Sequence, residues 1–203
     1  MICLAPIVEG HAEREAVRIL IQRIATHNGL TEPVAVRPPI RKPRSTLLRP
    51  GGMESAVELA ARAVAPDGAV LILIDSDDDC PAELGSQLLA RARQVRDDLP
   101  LGIVLAKREY ESWFLAAAES IRGRRGLATD LVAPANPEQI RGAKEWLDRH
   151  MIQGRSCSET LDQPALTTIF NLDAARRTDS FDKCCRDVVR LILECTARQA
   201  PER

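Results

Sequence analysis

The stretch VLILIDSDDD, residues 70–79, joins an unbroken apolar run to four aspartates. The run from Val70 to Ile74 predicts a strand that is buried on both faces, as in a parallel sheet covered by helices. The aspartates follow where this strand must leave the sheet, and ligands of open α/β folds bind outside the carboxyl ends of strands. Clustered carboxylates repel one another unless a cation or water screens them, and hard oxygen ligands favour Mg²⁺, Mn²⁺ or Ca²⁺. The stretch therefore predicts a metal site at the end of a central strand.

Outward from this strand, the hydrophobic pattern alternates between the two-residue period of strands and the longer period of helices. Strands are predicted at 2–8, 33–40 and 69–74, and a fourth from 99 or 101 to 106. Helices are predicted between and after them, at 13–27, 53–65, 81–97 and 109–121. This alternation is typical of a doubly wound sheet of about four mainly parallel strands.

After residue 122 the pattern contains helices but no strand. The predicted helices cover 137–151, 161–172 and 181–197, and the segments 41–52, 123–136 and 152–159 are predicted to be loops. We predict an α/β fold with a Rossmann-like domain over 1–122 and a helical extension over 123–203 that packs on the same domain.

Composition limits the classes of partner. The formal net charge is −1, so affinity for a polyanion needs a local basic patch, and 3% aromatic residues are too few for a platform that stacks single-stranded bases. The six cysteines contain no CxxC pair, which argues against a zinc ribbon and favours reduced thiols. The apolar runs are too short to span a bilayer, and the first residues lack a basic leader, so we expect a cytoplasmic protein without a membrane partner.

Acidic residues follow three of the predicted strands. Glu9 ends the first, Asp75 and Asp77 end the third, and Glu109 and Glu111 follow the fourth. The carboxyl ends of parallel strands lie along one edge of a sheet, so these residues could converge on one or two cations. Two divalent ions held by carboxylates can orient water and stabilise both oxygens of an in-line phosphoryl displacement. This chemistry is used by many nucleases, polymerases and phosphatases.

Three alternatives compete for the aspartate run. A solvated loop with helix-capping acids would have the same composition, because Asp favours turns and helix N-termini. An EF-hand fails on spacing, because its glycine position is Cys80 and its glutamate position is Ser86. An aspartyl-phosphate phosphatase also places D-x-D after a buried strand, but usually after the first strand of the fold, whereas this one follows the third.

Four short motifs resemble those of a known group: V-E-G-x-x-E at 8–13, L-I-D-x-D-D-D at 73–79, E-x-E-x-W-F-L at 109–115 and S-F-x-K at 180–183. A strand-ending Glu-Gly followed by D-x-D on a later strand resembles the Toprim domain of topoisomerases, bacterial primases and OLD-type nucleases. The four motifs together are similar to the small stand-alone Toprim-like proteins of domain-of-unknown-function family 4276.

The resemblance implies a Toprim fold with Mg²⁺ or Mn²⁺ at Glu9, Asp75 and Asp77. It implies that Glu9 is a ligand or a general acid/base, that Asp79 is a further ligand and that Glu111 is a candidate ligand for a second metal. It also implies a nuclease that works beside an ATPase in bacterial defence, an expectation by analogy. A topoisomerase needs a tyrosine nucleophile, and the single tyrosine of this sequence belongs to the Glu109–Glu111 segment, which argues against strand passage.

Basic residues supply candidates for phosphate contacts. Lys107 precedes the Glu109–Glu111 segment and could stabilise negative charge on a scissile phosphate, or pair with nearby acids. Clusters at 37–49 and 122–125 could flank the acidic edge, although such runs are usually solvated. The candidate nucleic-acid-binding residues are Arg41, Lys42, Arg44 and, on the resemblance, Lys183.

Three functions follow from these features. The first is a metal-dependent nuclease acting on DNA or RNA, with Glu9 and Lys107 in catalysis. The second is a non-catalytic subunit that binds metal or nucleotide and signals to an ATPase, and the third is a small-molecule phosphohydrolase. The amphipathic helix predicted at 181–197 could belong to the core or form a homodimer.

Overall fold

A parallel sheet forms the centre of the computed structural model, which describes residues 1–199. Its strands are β1 (Ile2–Val8), β2 (Val34–Val36), β3 (Ile40–Arg41), β4 (Ala69–Asp75) and β5 (Leu101–Ala106). Four of them lie in the order β2-β1-β4-β5, and β3 pairs with the carboxyl end of β1. Every strand pair is parallel, so the carboxyl ends of β1, β4 and β5 lie along one edge.

Nine α-helices surround this sheet within the described residues. They are α1 (Glu13–His27), α2 (Arg44–Leu48), α3 (Gly52–Val64), α4 (Pro81–Val95), α5 (Ser112–Ala116), α6 (Ala143–Arg149), α7 (Glu159–Ile169), α8 (Leu172–Ala175) and α9 (Asp179–Gln199). Two 3₁₀ turns cover Ala118–Ile121 and Pro137–Gln139. Among the described residues, no helix is both long enough and apolar enough to cross a membrane.

The core has one layer on each face of the sheet, and all seven residues of β4 are buried between them. Small and branched residues of α3 and α4 pack on one face, where β4 contributes Ile72 and Ile74. On the other face, α1, α5 and α9 pack against Leu71 and Leu73. The aromatic residues Tyr110, Trp113, Phe114, Phe170 and Phe181 contact one another in this second layer, with ring centroids 4.7–5.5 Å apart.

The predicted α/β fold with a parallel sheet is confirmed, with five strands where about four were expected. The strand predicted at 33–40 is divided into β2 and β3, because Pro38 and Pro39 lack the N–H groups that a ladder needs. The helices after residue 122 share one apolar core with the sheet: α7 packs on α1, and α9 packs on β5.

Three further predicted elements differ from the structure. The helix predicted at 137–151 is wrong: Gly142 has a left-handed φ of +69°, so α6 begins only at Ala143. The loop predicted at 41–52 contains the short helix α2. The helix predicted at 109–121 is reduced to α5 and a 3₁₀ turn.

Candidate metal centre

Three carboxylates meet at the carboxyl end of the two central strands. Glu9 follows β1, Asp75 is the last residue of its neighbour β4, and Glu13 opens α1. One ligand atom from each residue lies within 4.8 Å of the others. Glu13 is 4% exposed and Asp75 is 7% exposed, whereas Glu9 is half-buried. We call Glu9, Glu13 and Asp75 the carboxylate triad.

Backbone groups fix the positions of the triad. The Glu9 N–H donates to Glu13 Oε2 over 3.1 Å, and the Tyr110 N–H donates to Asp75 Oδ1 over 2.8 Å. Gly10 makes room for the Glu13 carboxylate, because a Cβ at this position would lie 2.9 Å from Glu13 Oε1. Glu9 Oε2 is buried and has no hydrogen-bond partner among the described residues. A buried oxygen without a partner is costly, so the triad needs a proton or a cation.

The raised pKa values of the triad carboxyl groups also indicate that the triad needs a proton or a cation. Burial raises the pKa of Asp75 well above its ordinary value, and the Glu13, Glu111 and Glu9 carboxylates raise it further. Burial and the Glu9 carboxylate raise the pKa of Glu13 to about 7. The pKa of Glu9 is raised by burial and by Asp77. All three carboxyl groups therefore hold their protons more tightly than they would in water.

A divalent ion fits this donor set. Oxygen ligands bind Mg²⁺ at about 2.0–2.1 Å and Ca²⁺ at about 2.3–2.6 Å, so ligand atoms on opposite sides of one ion lie roughly 4–5 Å apart. The triad offers three carboxylate oxygens within 4.8 Å of one another. Carboxylate donors without a thiolate or imidazole favour Mg²⁺ or Mn²⁺ over Zn²⁺. The triad could therefore hold one hard divalent cation.

The aspartates after Asp75 have different surroundings. The side chains of Asp77, Asp78 and Asp79 are each more than half exposed. Arg44 pairs with Asp79 and lies 3.4 Å from Asp77, and it also donates to the carbonyl oxygen of Asp75. Asp77 and Asp79, two of the predicted ligands, thus lie outside the triad, although Asp77 is close enough to raise the pKa of Glu9.

Arginines also neutralise Asp78, which pairs with Arg108 and, over 2.7 Å, with Arg141. The backbone beside these ion pairs is strained: Asp77 and Arg108 have φ values of +49° and +68°. Such conformations cost on the order of 1–3 kcal/mol each in residues other than glycine. The Asp77 N–H donates to the Arg108 carbonyl oxygen over 3.1 Å, which links the turns after β4 and β5.

Glu111, predicted to bind a second metal, is 3% exposed and lies beside the triad. It accepts a hydrogen bond from Gln163 Nε2 over 3.1 Å. Burial raises the pKa of Glu111 to about 8, and the Lys144 ammonium opposes this shift. Burial lowers the pKa of Lys144, but the Glu111, Glu159 and Asp75 carboxylates outweigh it, so this pKa lies above its ordinary value.

The predicted basic residues divide between two surfaces. Arg41 lies on β3 in register with Val8, and the Lys42 N–H donates to the Val8 carbonyl oxygen over 2.9 Å, so both flank the end of β1. Lys107 and Lys183 line a groove of about 840 Å³ along β5 that shares no residue with the triad. Lys183 Nζ donates to the Ile103 carbonyl oxygen over 2.7 Å. Lys107 is therefore not grouped with Glu9 in this structure.

Three residues of the site were not predicted from the sequence: Glu13, Lys144 and Gln163. A signal for Glu13 was present, because it lies four residues after Glu9 in the V-E-G-x-x-E motif and begins a helix that points at the strand end. No comparable signal marks Lys144 on α6 or Gln163 on α7. Their positions depend on how the later helices pack.

A family model matches residues 8–188, a range that contains every site residue described above. The description of that family is "Domain of unknown function (DUF4276)". Neither the curated proteins nor the solved structures include a match to this chain.

Proposed function

The chain belongs to the DUF4276 family, and we propose that it is a metal-dependent nuclease that hydrolyses phosphodiester bonds in DNA or RNA. One observation carries this proposal: three carboxylates, two of them buried, have ligand atoms within 4.8 Å of one another at the carboxyl end of the central strands. Mg²⁺ or Mn²⁺ is the cofactor of this proposal, with Glu9, Glu13 and Asp75 as its ligands.

Each side chain around the triad has a role in the proposal. When bound, the divalent ion would supply charge stabilisation at the phosphate oxygens. Glu9 is half-buried and has one unpartnered oxygen, so it can hold the ion or accept a proton from an attacking water. Arg41 is exposed beside the end of β1 and could contact a neighbouring phosphate.

Kinship with the Toprim domain is part of the same proposal. The Glu-Gly after β1 and the D-x-D after β4 support it, as does the adjacent position of these two strands in the sheet. A cytoplasmic ATPase partner, a role in bacterial defence and a homodimer remain proposals by analogy.

A second candidate function is the non-catalytic subunit. The arginine pairs of Asp77, Asp78 and Asp79 favour it, because these carboxylates are already neutralised within the chain. Such a protein would bind one divalent ion at the triad and hydrolyse nothing.

Hydrolysis and metal binding, measured on the same preparations, separate these functions. Single- and double-stranded DNA and RNA are incubated with Mg²⁺ or Mn²⁺, and p-nitrophenyl phosphate is tested in parallel. Asp75→Ala removes one triad carboxylate, and Asp67→Ala is a matched control, because Asp67 is exposed before the amino end of β4. We expect Asp75→Ala to lose nuclease activity and Asp67→Ala to retain it.

The other outcomes assign the alternatives. Binding of Mn²⁺ without hydrolysis of any substrate would favour the non-catalytic subunit. Hydrolysis of p-nitrophenyl phosphate alone would favour the phosphohydrolase. Nuclease activity that Asp75→Ala retains would overturn the proposal, because it would come from another site or a contaminant.

A further inference from the structure

A second cavity, with a volume of about 310 Å³, lies beside the triad and is lined by residues of α5, α6, α7 and the adjoining loops. Phe114, Leu147 and Leu166 form its apolar wall, and Glu111 and Gln163 lie in its lining. Its volume is at the lower end of the roughly 300–1,000 Å³ that is typical of ligand pockets. We call it the α6–α7 cavity.

Two buried acceptors in this cavity have no donor. Glu111 and Gln163 are each 3% exposed, and they hydrogen bond to each other through Glu111 Oε1 and Gln163 Nε2. The remaining oxygens, Glu111 Oε2 and Gln163 Oε1, are buried and lack a partner among the described residues. Unsatisfied buried acceptors cost about 1–3 kcal/mol each, so a ligand with several N–H donors would recover this energy.

The charges around the cavity favour a cation. Its lining contains four carboxyl groups, those of Glu111, Glu145, Asp148 and Glu159, and a single ammonium group, that of Lys144. The Lys144 Nζ atom pairs with Glu159 over 3.3 Å, and both side chains are about 40% exposed. Exposed pairs of this kind contribute only about 0–1 kcal/mol, so an incoming cation can displace Lys144 from Glu159 at little cost.

We propose that the α6–α7 cavity binds a guanidinium group on a short alkyl stem, such as an arginine side chain presented by a partner protein. A guanidinium has five N–H donors in one plane and can reach Glu111 and Gln163 together, whereas an ammonium is a point charge. It is also weakly hydrated, which suits the apolar wall formed by Phe114, Leu147 and Leu166. A phosphate-bearing ligand is disfavoured, because three of the carboxylates lie on α6 and α7 at the partly exposed rim.

This site is separate from the proposed nuclease function, so it is tested without metal or nucleic acid. Isothermal titration calorimetry at a pH above about 8, where Glu111 is ionised, compares N-acetyl-L-argininamide with the citrulline analogue, which has a similar shape but no charge. We expect heat of binding only for the arginine derivative. Free arginine and agmatine are titrated as well, to show whether the natural ligand is a protein side chain or a small molecule. Tighter binding of the acetyl amide favours an arginine within a polypeptide, and tighter binding of agmatine favours a small-molecule guanidine.

Substitutions in the lining of the α6–α7 cavity test whether the arginine derivative binds there. Glu111→Gln keeps the side-chain shape and should weaken binding about tenfold or more, because a hydrogen bond to a charged group is lost. Glu159→Gln changes an exposed residue and should weaken binding without affecting the fold, whereas Glu83→Gln, an exposed control on α4, should leave it unchanged.

Four results would overturn the inference. The first is the absence of binding by any guanidine. The second is equal binding of the citrulline analogue, and the third is unchanged affinity in both Glu111→Gln and Glu159→Gln. A response to cytidine in place of the arginine derivative would also reject it, because it would identify a neutral amino-bearing ring as the occupant.

Discussion

The carboxylate triad and the Asp77–Asp79 turn are adjacent at the carboxyl end of β4, yet their surroundings are opposite. Asp75 and Glu13 are buried, and none of the triad residues forms an ion pair within the described residues. In the turn, each aspartate is more than half exposed and lies within 4 Å of an arginine.

This contrast shows how burial sorts identical side chains within one short run. Asp75 is the last residue of a strand buried on both faces, so its carboxylate must find a partner inside the protein. Asp77 follows two residues later in a left-handed conformation that turns the chain towards solvent, where Arg44 can reach it. Only in the triad does a proton or a cation from outside the chain have to balance the carboxylate charge.

The largest expected effect is on metal affinity. Asp75→Asn keeps the side-chain volume and removes a ligand charge. Loss of a residue that only hydrogen bonds to a metal ligand lowers metal affinity about 10–100-fold, so we expect this loss of a ligand charge to lower affinity for Mn²⁺ by more than about 100-fold. Asp78→Asn, the matched change in the turn, should alter affinity by less than about threefold, because Arg108 and Arg141 already neutralise Asp78. Calorimetric titration measures both, and equal effects would contradict the division into two groups.

The next effect is a fall in stability as pH rises, in the absence of metal. Burial raises the pKa of Glu13 to about 7 and that of Glu111 to about 8, from an ordinary value of 4.5. Above pH 4.5 the unfolded chain releases these protons while the folded protein retains them, so the free energy of unfolding decreases with pH until about 7 and about 8, respectively. The slope is about 1.4 kcal/mol per proton and pH unit, so each of the two groups contributes a few kcal/mol over its range.

Thermal unfolding at a series of pH values measures this fall. Glu111→Gln should reduce the slope, and Mn²⁺ should raise the melting temperature more at high pH than at low pH, because it replaces protons on the triad. Stability that increases steadily from about pH 5 to about pH 8 would contradict this prediction, because it would mean that the pKa values of these carboxyls are not raised in the folded protein.

Much of the fold could be predicted because local sequence determines it. The apolar run of β4 and the helical period of α1 each specify one element, and the alternation of strands and helices specifies parallel pairing. The prediction failed at Gly142, because an apolar period alone does not reveal a left-handed residue. It also failed at Pro38 and Pro39, which interrupt the second strand.

Only part of the candidate site could be predicted from the same sequence patterns. Glu9 and Asp75 could be paired because both end strands, and adjacent strands bring their ends together. Asp77 was grouped with them because the sequence does not show which carboxylates of a turn are met by arginines. Lys144 and Gln163 come from helices far along the chain, so their places near Glu111 are set by tertiary packing.

A smaller effect is expected when the turn loses its main cation. Arg44 donates to the carbonyl oxygens of Asp75 and Ser76 over 3.1 and 3.2 Å and pairs with Asp79. Arg44→Ala should lower the free energy of unfolding by about 1–3 kcal/mol, as expected for hydrogen bonds that involve a charged group. The matched control Arg41→Ala changes an exposed residue and should stay within about 0.5 kcal/mol. Urea denaturation compares the two, and equal destabilisation would mean that Arg44 does not order the turn.

The smallest effect should follow from Asp78→Asn on stability. Its carboxylate contacts Arg108 and Arg141, but it is well exposed, and exposed ion pairs contribute about 0–1 kcal/mol. We expect a change below about 1 kcal/mol that shrinks further in high salt, because screening weakens the pair in the reference protein. Urea denaturation at low and high ionic strength measures it. A loss that matches Arg44→Ala and persists in salt would show that Asp78 is as integral to the end of β4 as the triad, and the contrast between the two groups would then rest on metal binding alone.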